Sequence, residues 1–353
     1  MKGRLRFMNT AAAILMAGIA GLAITGVLGF VMIPWLRKLK FGQTILEIGP
    51  KWHSSKQGTP TMGGIMFIIG TCAALLLTVV TDKLMGGDIT ASGSLVPSEM
   101  YTKLWSGVLM ALGFAFIGFV DDYIKVVKHQ NLGLTIRQKT VMQLLVCVAY
   151  LTSLYMGMNG APYMYLPFVG VLDIGFFHWI FGIVVIYAAV NAVNFTDGID
   201  GLCSGVTFTT AVSLGVIAAL KGFFGFSAAA AALAGACLGF LIWNKNPAKV
   251  FMGDTGSLFL GGMVVALSYA IGCPLILLLA GIVYVIEGAS DVLQIVYYRV
   301  SGGKRIFKMA PIHHHFEMCG WSEKKIALVF TIVNAAGGAA AIAVMYYGGY
   351  ILR

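Results

Sequence analysis

The chain has 353 residues, 59% of them hydrophobic and 11% charged, and carries a formal net charge of +10. So apolar a composition excludes a water-soluble enzyme, and the long unbroken apolar runs exclude a membrane β-barrel, whose strands alternate lipid-facing and lumen-facing residues. With charge this sparse, the basic excess reads as membrane topology and attraction for phosphorylated partners, with no nucleic acid expected.

Ten apolar stretches approach the roughly 20 residues that a helix needs to cross a bilayer. They cover residues 10–33, 62–81, 104–120, 141–157, 176–193, 203–220, 226–243, 257–273, 275–297 and 326–351. No polar segment between them is long enough for a soluble domain. The expected fold class is therefore all-α, a polytopic membrane protein that forms one integral-membrane domain over residues 1–353. Lys2, Arg4 and Arg6 precede an apolar run that ends at Pro34 and Arg37. That run is too long for the apolar core of a signal peptide and reads as a retained first span. The six cysteines show no C-x-x-C pairing, so neither a disulfide framework nor a zinc site is indicated.

Taking the loops alternately, one face collects most of the 24 basic residues, among them Arg37, Lys38, Lys40, Lys51, Lys56, Lys125, Lys128, Arg137, Lys139, Lys245, Lys249, Arg299, Lys304, Arg305 and Lys308. The positive-inside rule makes that face cytoplasmic and puts both termini outside, against the pull of the basic N-terminus.

The polar motifs follow in chain order. Lys56 leads Gln57-Gly58-Thr59-Pro60-Thr61-Met62-Gly63-Gly64, where proline and glycines suit a helix start and the lysine suits a phosphate or nucleobase. Asp121 and Asp122 end the third apolar run, facing the negative end of its dipole. Either Lys125 neutralises them on a continuing helix, or they serve metal or proton chemistry. Arg137 and Lys139 before the fourth span are by default topological charges. Asn194-Phe195-Thr196-Asp197-Gly198-Ile199-Asp200-Gly201 concentrates amide and carboxylate groups in a turn. There Thr196 or Asp200 would cap the next helix, or the turn would bind ribose and uracil. In Phe251-Met252-Gly253-Asp254-Thr255-Gly256-Ser257, Asp254 suits a helix N-cap and equally a hard oxygen ligand for Mg²⁺. Glu287 and Asp291, four residues apart, share a face of the ninth run with Gln294 nearby, as a transport pathway also would. In Pro311-Ile312-His313-His314-His315-Phe316-Glu317 the consecutive imidazoles diverge too far to ligate one metal together. They are left for phosphate and substrate contacts, or for none. All these clusters fall on the face read as cytoplasmic, which points to an active site built from several loops.

Asp121-Asp122-Tyr123, Asn191 to Leu202, Phe251 to Ser257 and Pro311 to Glu317 together resemble the phospho-N-acetylmuramoyl-pentapeptide transferase family, within the polyprenyl-phosphate N-acetylhexosamine-1-phosphate transferases. The resemblance runs in order from Lys56 to beyond Trp321. It implies about ten transmembrane helices, a homodimer, a Mg²⁺ requirement and a site open to the cytoplasm. It also implies transfer of phospho-MurNAc-pentapeptide from UDP-MurNAc-pentapeptide to undecaprenyl phosphate, giving lipid I and UMP. By motif position Asp254 would hold Mg²⁺, and Asp121 and Asp122 would remove a proton or position the metal. Lys56, Asp197, Asp200, Asn244 and Phe251 would surround the nucleoside. Lys139, Asn194, Gln294, His313, His314 and His315 would contact phosphates or the sugar-peptide, with His313 also among the catalytic residues. Thr61, Gly198, Ile199 and Gly253 complete the expected binding surface. The absence of a G-x-x-x-x-G-K-[ST] loop fits an exchange of one pyrophosphate linkage for another, without nucleotide hydrolysis. Two alternatives remain at this level: a UDP-GlcNAc:polyprenyl-phosphate transferase, and a secondary transporter.

Overall fold

The structure is a computed structural model describing residues 9–39, 56, 58–91, 96–127, 132–158, 160 and 163–350. Of the residues named above, Lys2, Arg4, Arg6, Lys40, Lys51, Gln57 and Lys128 lie outside the described residues. Twelve α-helices account for most of what is described: α1 (Thr10–Lys38), α2 (Gly64–Leu84), α3 (Pro97–Val127), α4 (Ile136–Gly157), α5 (Phe177–Thr196), α6 (Leu202–Leu220), α7 (Phe224–Asn244), α8 (Gly253–Ala270), α9 (Leu277–Ala280), α10 (Ile282–Val300), α11 (Ile312–Met318) and α12 (Glu323–Tyr347). A hairpin of β1 (Tyr163–Leu166) and β2 (Gly170–Asp173) pairs Tyr163 with Asp173 in antiparallel register.

Among the described residues, α1 to α7 and α12 are long and apolar enough to cross a membrane, and a broken pair, Pro274–Ala280 with α10, makes a ninth such segment. The ninth expected span is thus bent by 90° where a straight helix was read. Lipid would leave the backbone groups freed at such a break unsatisfied. Here the buried Asn334 of α12 accepts from the Val283 amide at 3.3 Å and donates to the Ala280 carbonyl at 3.2 Å, which also accepts from the Thr210 hydroxyl at 3.0 Å. The eighth expected span is α8, 18 residues that would extend about 27 Å. Its opening turn is polar, and every residue from Thr255 to Ala270 is buried. Protein, not lipid, surrounds it.

Small residues let backbones approach within this bundle, as expected where apolar lipid offers helices no hydrophobic reason to associate. A Cβ on Gly235 of α7 would lie 1.9 Å from the Gly18 carbonyl oxygen of α1. On Gly118 of α3 it would lie 2.2 Å from the carbonyl oxygen of Asp254. This second approach puts the end of α3 against the start of α8. Asp121 and Asp122, about one turn beyond Gly118, are carried there with it.

Candidate active site

The start of α8 has four amides without helical partners. Asp254 does not cap them: it lies inside the first turn, with Met252 at the cap position. The cap comes from α3. Asp122 accepts from the Asp254 amide at 3.2 Å, the Thr255 amide at 2.9 Å and the Thr255 hydroxyl at 2.7 Å. Gly253 enters this turn at φ 70°, where a side chain would be strained, and its missing Cβ leaves room for Asp122 and the Thr61 hydroxyl.

Asp254 is thereby left free to point outward. Its carboxylate accepts from Lys139 at 2.7 Å, Lys125 at 3.2 Å and the Asn194 amide at 3.0 Å, while Asn194 also donates to Ser257 at 2.7 Å. α3 continues past the aspartates to Val127, so Lys125 sits one turn from Asp121 and pairs with it at 2.6 Å. The other Asp121 oxygen accepts from the Leu134 amide at 2.7 Å. Oxygens of Asp121, Asp122 and Asp254 lie within 4.8 Å of one another. Three carboxylates meet two ammonium groups here, and hard oxygen donors of this kind suit Mg²⁺.

A second group forms around Lys56, which pairs with Asp200 at 2.8 Å and Glu323 at 2.6 Å. Burial alone would lower the Lys56 ammonium, but the hydrogen bonds and charges of Asp200 and Glu323 raise it. Asp200 also accepts from the Ala248 amide at 2.9 Å and from Asn246 at 3.1 Å. Neither Asp200 nor Thr196 caps α6; the cap position is Gly201, whose amide donates to Asn244 at 3.0 Å. Asn244 is buried and donates onward to the Val250 carbonyl at 2.9 Å, tying the two loops together. Phe251 is held to the Lys56 loop through its backbone, its amide donating to Pro60 and its carbonyl accepting from Gly63, both at 2.8 Å.

The histidines lie on α11 and diverge as their spacing dictates. His313 is fully buried against Glu287 of α10 at 2.9 Å, and its Nε2 lies where a Cβ on Gly198 would stand, 2.0 Å away. His314 pairs with Glu317 at 2.6 Å, and His315 accepts from the Lys308 amide at 3.1 Å. Gln294 accepts from the amides of Ile306 and Phe307 at 3.1 and 3.0 Å, holding the approach to α11.

The turn at Asp197 and Gly198 joins all three groups. Asp197 feels the charges of Asp254, Asp122 and Asp200, and burial together with those charges pushes its carboxyl well above the usual range. Gly198 touches His313, and Ile199 is buried behind them. All the expected site residues therefore gather at one end of the bundle, but not in one role. Asp254, Asp121, Lys139, Asn194 and Lys56 present charge or amide groups, whereas Asn244, Gln294, Ile199 and His313 are engaged inside the protein. Sequence reading treated Lys125 only as a neutralising charge, read Glu287 with Asp291 without seeing its pairing to His313, placed Ser257 in its motif without a partner, and passed over Asn246 and Glu323. Lys125, four residues after Asp121, and Glu287, a carboxylate at membrane depth, left local signals.

Residues 104–272 match the family model described as Glycosyl transferase family 4, and residues 56–68 match phospho-N-acetylmuramoyl-pentapeptide-transferase signature 1. The chain is 43% identical over 317 residues, 89% of its length and 93% of the relative's, to a phospho-N-acetylmuramoyl-pentapeptide-transferase of Listeria monocytogenes serotype 4b (strain CLIP80459). Proteins of the same description from Clostridium perfringens (strain 13 / Type A) and Bacillus thuringiensis (strain Al Hakam) are 43% and 40% identical, covering 91% and 90% of this chain and 95% and 93% of theirs.

Proposed function

The chain belongs to the phospho-N-acetylmuramoyl-pentapeptide-transferase family and transfers phospho-MurNAc-pentapeptide in peptidoglycan synthesis, and we propose that it does so with Mg²⁺ at its aspartate cluster. The single observation that carries the site assignment is the meeting of Asp121, Asp122 and Asp254 from α3 and α8. Family membership implies a UDP-sugar-pentapeptide donor, a polyprenyl phosphate acceptor and a bacterial cell membrane location.

Asp254 and Asp121 would hold Mg²⁺, which when bound supplies charge neutralisation for the donor's pyrophosphate. Asp122, occupied by the amides of α8, would fix the position of Asp254. Lys125 and Lys139 would turn from Asp254 to the phosphates. Lys56, Asp197 and Asp200 would line the nucleoside end, with Thr61, Gly253 and Phe251 below them, and His314 and His315 would face the sugar-peptide. An oxygen of undecaprenyl phosphate attacks the sugar-linked phosphorus as the bond to UMP breaks, giving lipid I. Rate enhancement comes mainly from positioning and charge stabilisation. One step is preferred over an aspartyl-phosphate, because the acceptor is already an anionic nucleophile.

A single integral-membrane domain, a homodimer and a site facing the cytoplasm with outward termini belong to the same proposal. The basic residues Lys125 and Lys139 at the cluster and Lys56 in the group beside it support the orientation. The test is UMP release by purified protein from UDP-MurNAc-pentapeptide and from UDP-GlcNAc, with and without Mg²⁺. Wild type should release UMP only from the muramoyl donor and only with metal. Asp254→Ala should lose on the order of 10²-fold or more while remaining folded. Metal-independent turnover would refute the Mg²⁺ assignment, and transient protein labelling by β-phosphate-labelled donor without acceptor would refute the one-step route.

A further inference from the structure

Lys103 lies in the second turn of α3 and is almost completely buried. Eighteen residues of the same helix separate it from Asp121, about 27 Å, close to the thickness of a hydrocarbon core. It therefore sits at the headgroup level of the face opposite the aspartates. Its side chain borders a cavity of about 30 Å³ between the α4 end, β1, the α5 start and the α8 end. His178 and Tyr269 border the same cavity, with Leu154 and Phe181 supplying apolar wall.

Among the described residues, several polar atoms here have no hydrogen-bond partner. His178 Nε2 and the Tyr269 hydroxyl are buried with no hydrogen bond, as is the hydroxyl of Tyr150, whose ring packs edge-on against Tyr269 at 5.8 Å. Among the described residues no carboxylate lies within 4.0 Å of the Lys103 ammonium, although the charge of Glu99 acts on it. The ammonium stands over the face of Tyr163, 5.9 Å from the ring centre. A buried ammonium and two buried polar atoms with no partner among the described residues, all around one cavity, are costly unless something accepts from them. Nothing in the transferase site, a bilayer's thickness away, accounts for them.

We propose that this cavity is an anion site that takes the tip of a phosphate group, with Lys103, His178 and Tyr269 as donors. Its depth places it where the phosphates of an opposite-leaflet lipid lie, and the apolar wall would meet the adjoining chain. The cavity is too small for a nucleotide.

The full-length protein in detergent would be offered phosphatidylglycerol and phosphatidylcholine in competition, with bound lipid counted by native mass spectrometry. Separately, its thermal midpoint would be followed with inorganic phosphate against sodium chloride at equal ionic strength. Lys103→Met and Tyr269→Phe keep the side-chain shape, and unchanged UMP release would show that both fold. Lys83→Met removes the same charge from an exposed position near the same end and serves as control. If the occupant is a lipid, Lys103→Met lowers phosphatidylglycerol retention by roughly tenfold or more, Tyr269→Phe lowers it less, and Lys83→Met leaves it unchanged. If the source is free phosphate, stabilisation beyond that of chloride disappears in the same two variants. The site is refuted if neither probe separates wild type from Lys103→Met and Tyr269→Phe, or if Lys83→Met has the same effect.

Discussion

Asp121 and Asp122 are adjacent in sequence and differ in what remains available to them. Both Asp122 oxygens accept from α8, so its charge compensates the amides of a buried helix start. Asp121 meets one amide, one lysine and the carboxyl group of Asp254, and the lysine would leave when another cation arrives. Asp197 shows a different consequence of crowding. Burial, then the charges of Asp254, Asp122 and Asp200, raise its folded-state pKa above the unfolded value. Below that unfolded value both states hold the proton and no penalty exists. As pH rises the unfolded chain ionises freely while the folded one resists, so stability falls until the folded pKa is passed. Asp197→Asn should therefore raise the thermal midpoint at pH 7 and leave it unchanged near pH 4, read by melting the detergent-solubilised protein. A larger gain at pH 4 than at pH 7 would contradict this.

At the scale of elements, α3 and α8 form the axis on which the site depends. Gly118 permits their contact, and a methyl group there would stand 2.2 Å from the Asp254 carbonyl oxygen. Gly118→Ala must push the helices apart, at a cost of about 1–3 kcal/mol in stability. Because displacement moves both Asp122 and Asp254, turnover should fall roughly 100-fold in the folded fraction. UMP release normalised to folded protein checks this, and full activity would show that the close approach does not set the site. The 90° break between α9 and α10 is another element-scale feature. It carries Glu287 and Ser290 under α11, where Glu287 pairs with His313 and Ser290 accepts from the Ile312 amide at 3.0 Å. Glu287, one of two charges that could have marked a transport path, instead seats His313.

For the whole molecule, the proposed orientation makes a direct prediction. Cys319, beside α11, is the exposed cysteine among six, with Cys72 partly covered and the others buried. A membrane-impermeant thiol reagent should label Cys319 in inside-out vesicles and not in intact spheroplasts; labelling from outside would reverse the topology. The sequence by itself determined the all-α membrane architecture, because lipid demands long apolar helices that satisfy their own backbone. It also determined the family, because Asp121-Asp122, the Asn194 to Gly201 turn, Asp254 and the histidine run are local patterns that remain legible without coordinates. It did not contain in local form the capping of α8 by Asp122, the bracing of Lys56 by Asp200 and Glu323, or the seating of His313 on Glu287. These pairs join residues far apart in the chain, and only helix packing brings them within hydrogen-bond reach. The bend at α9 and α10 was hidden for the same reason, since the groups that satisfy the broken backbone come from α6 and α12. Apolarity fixes which segments enter the membrane, whereas the contacts among them decide where each polar side chain ends.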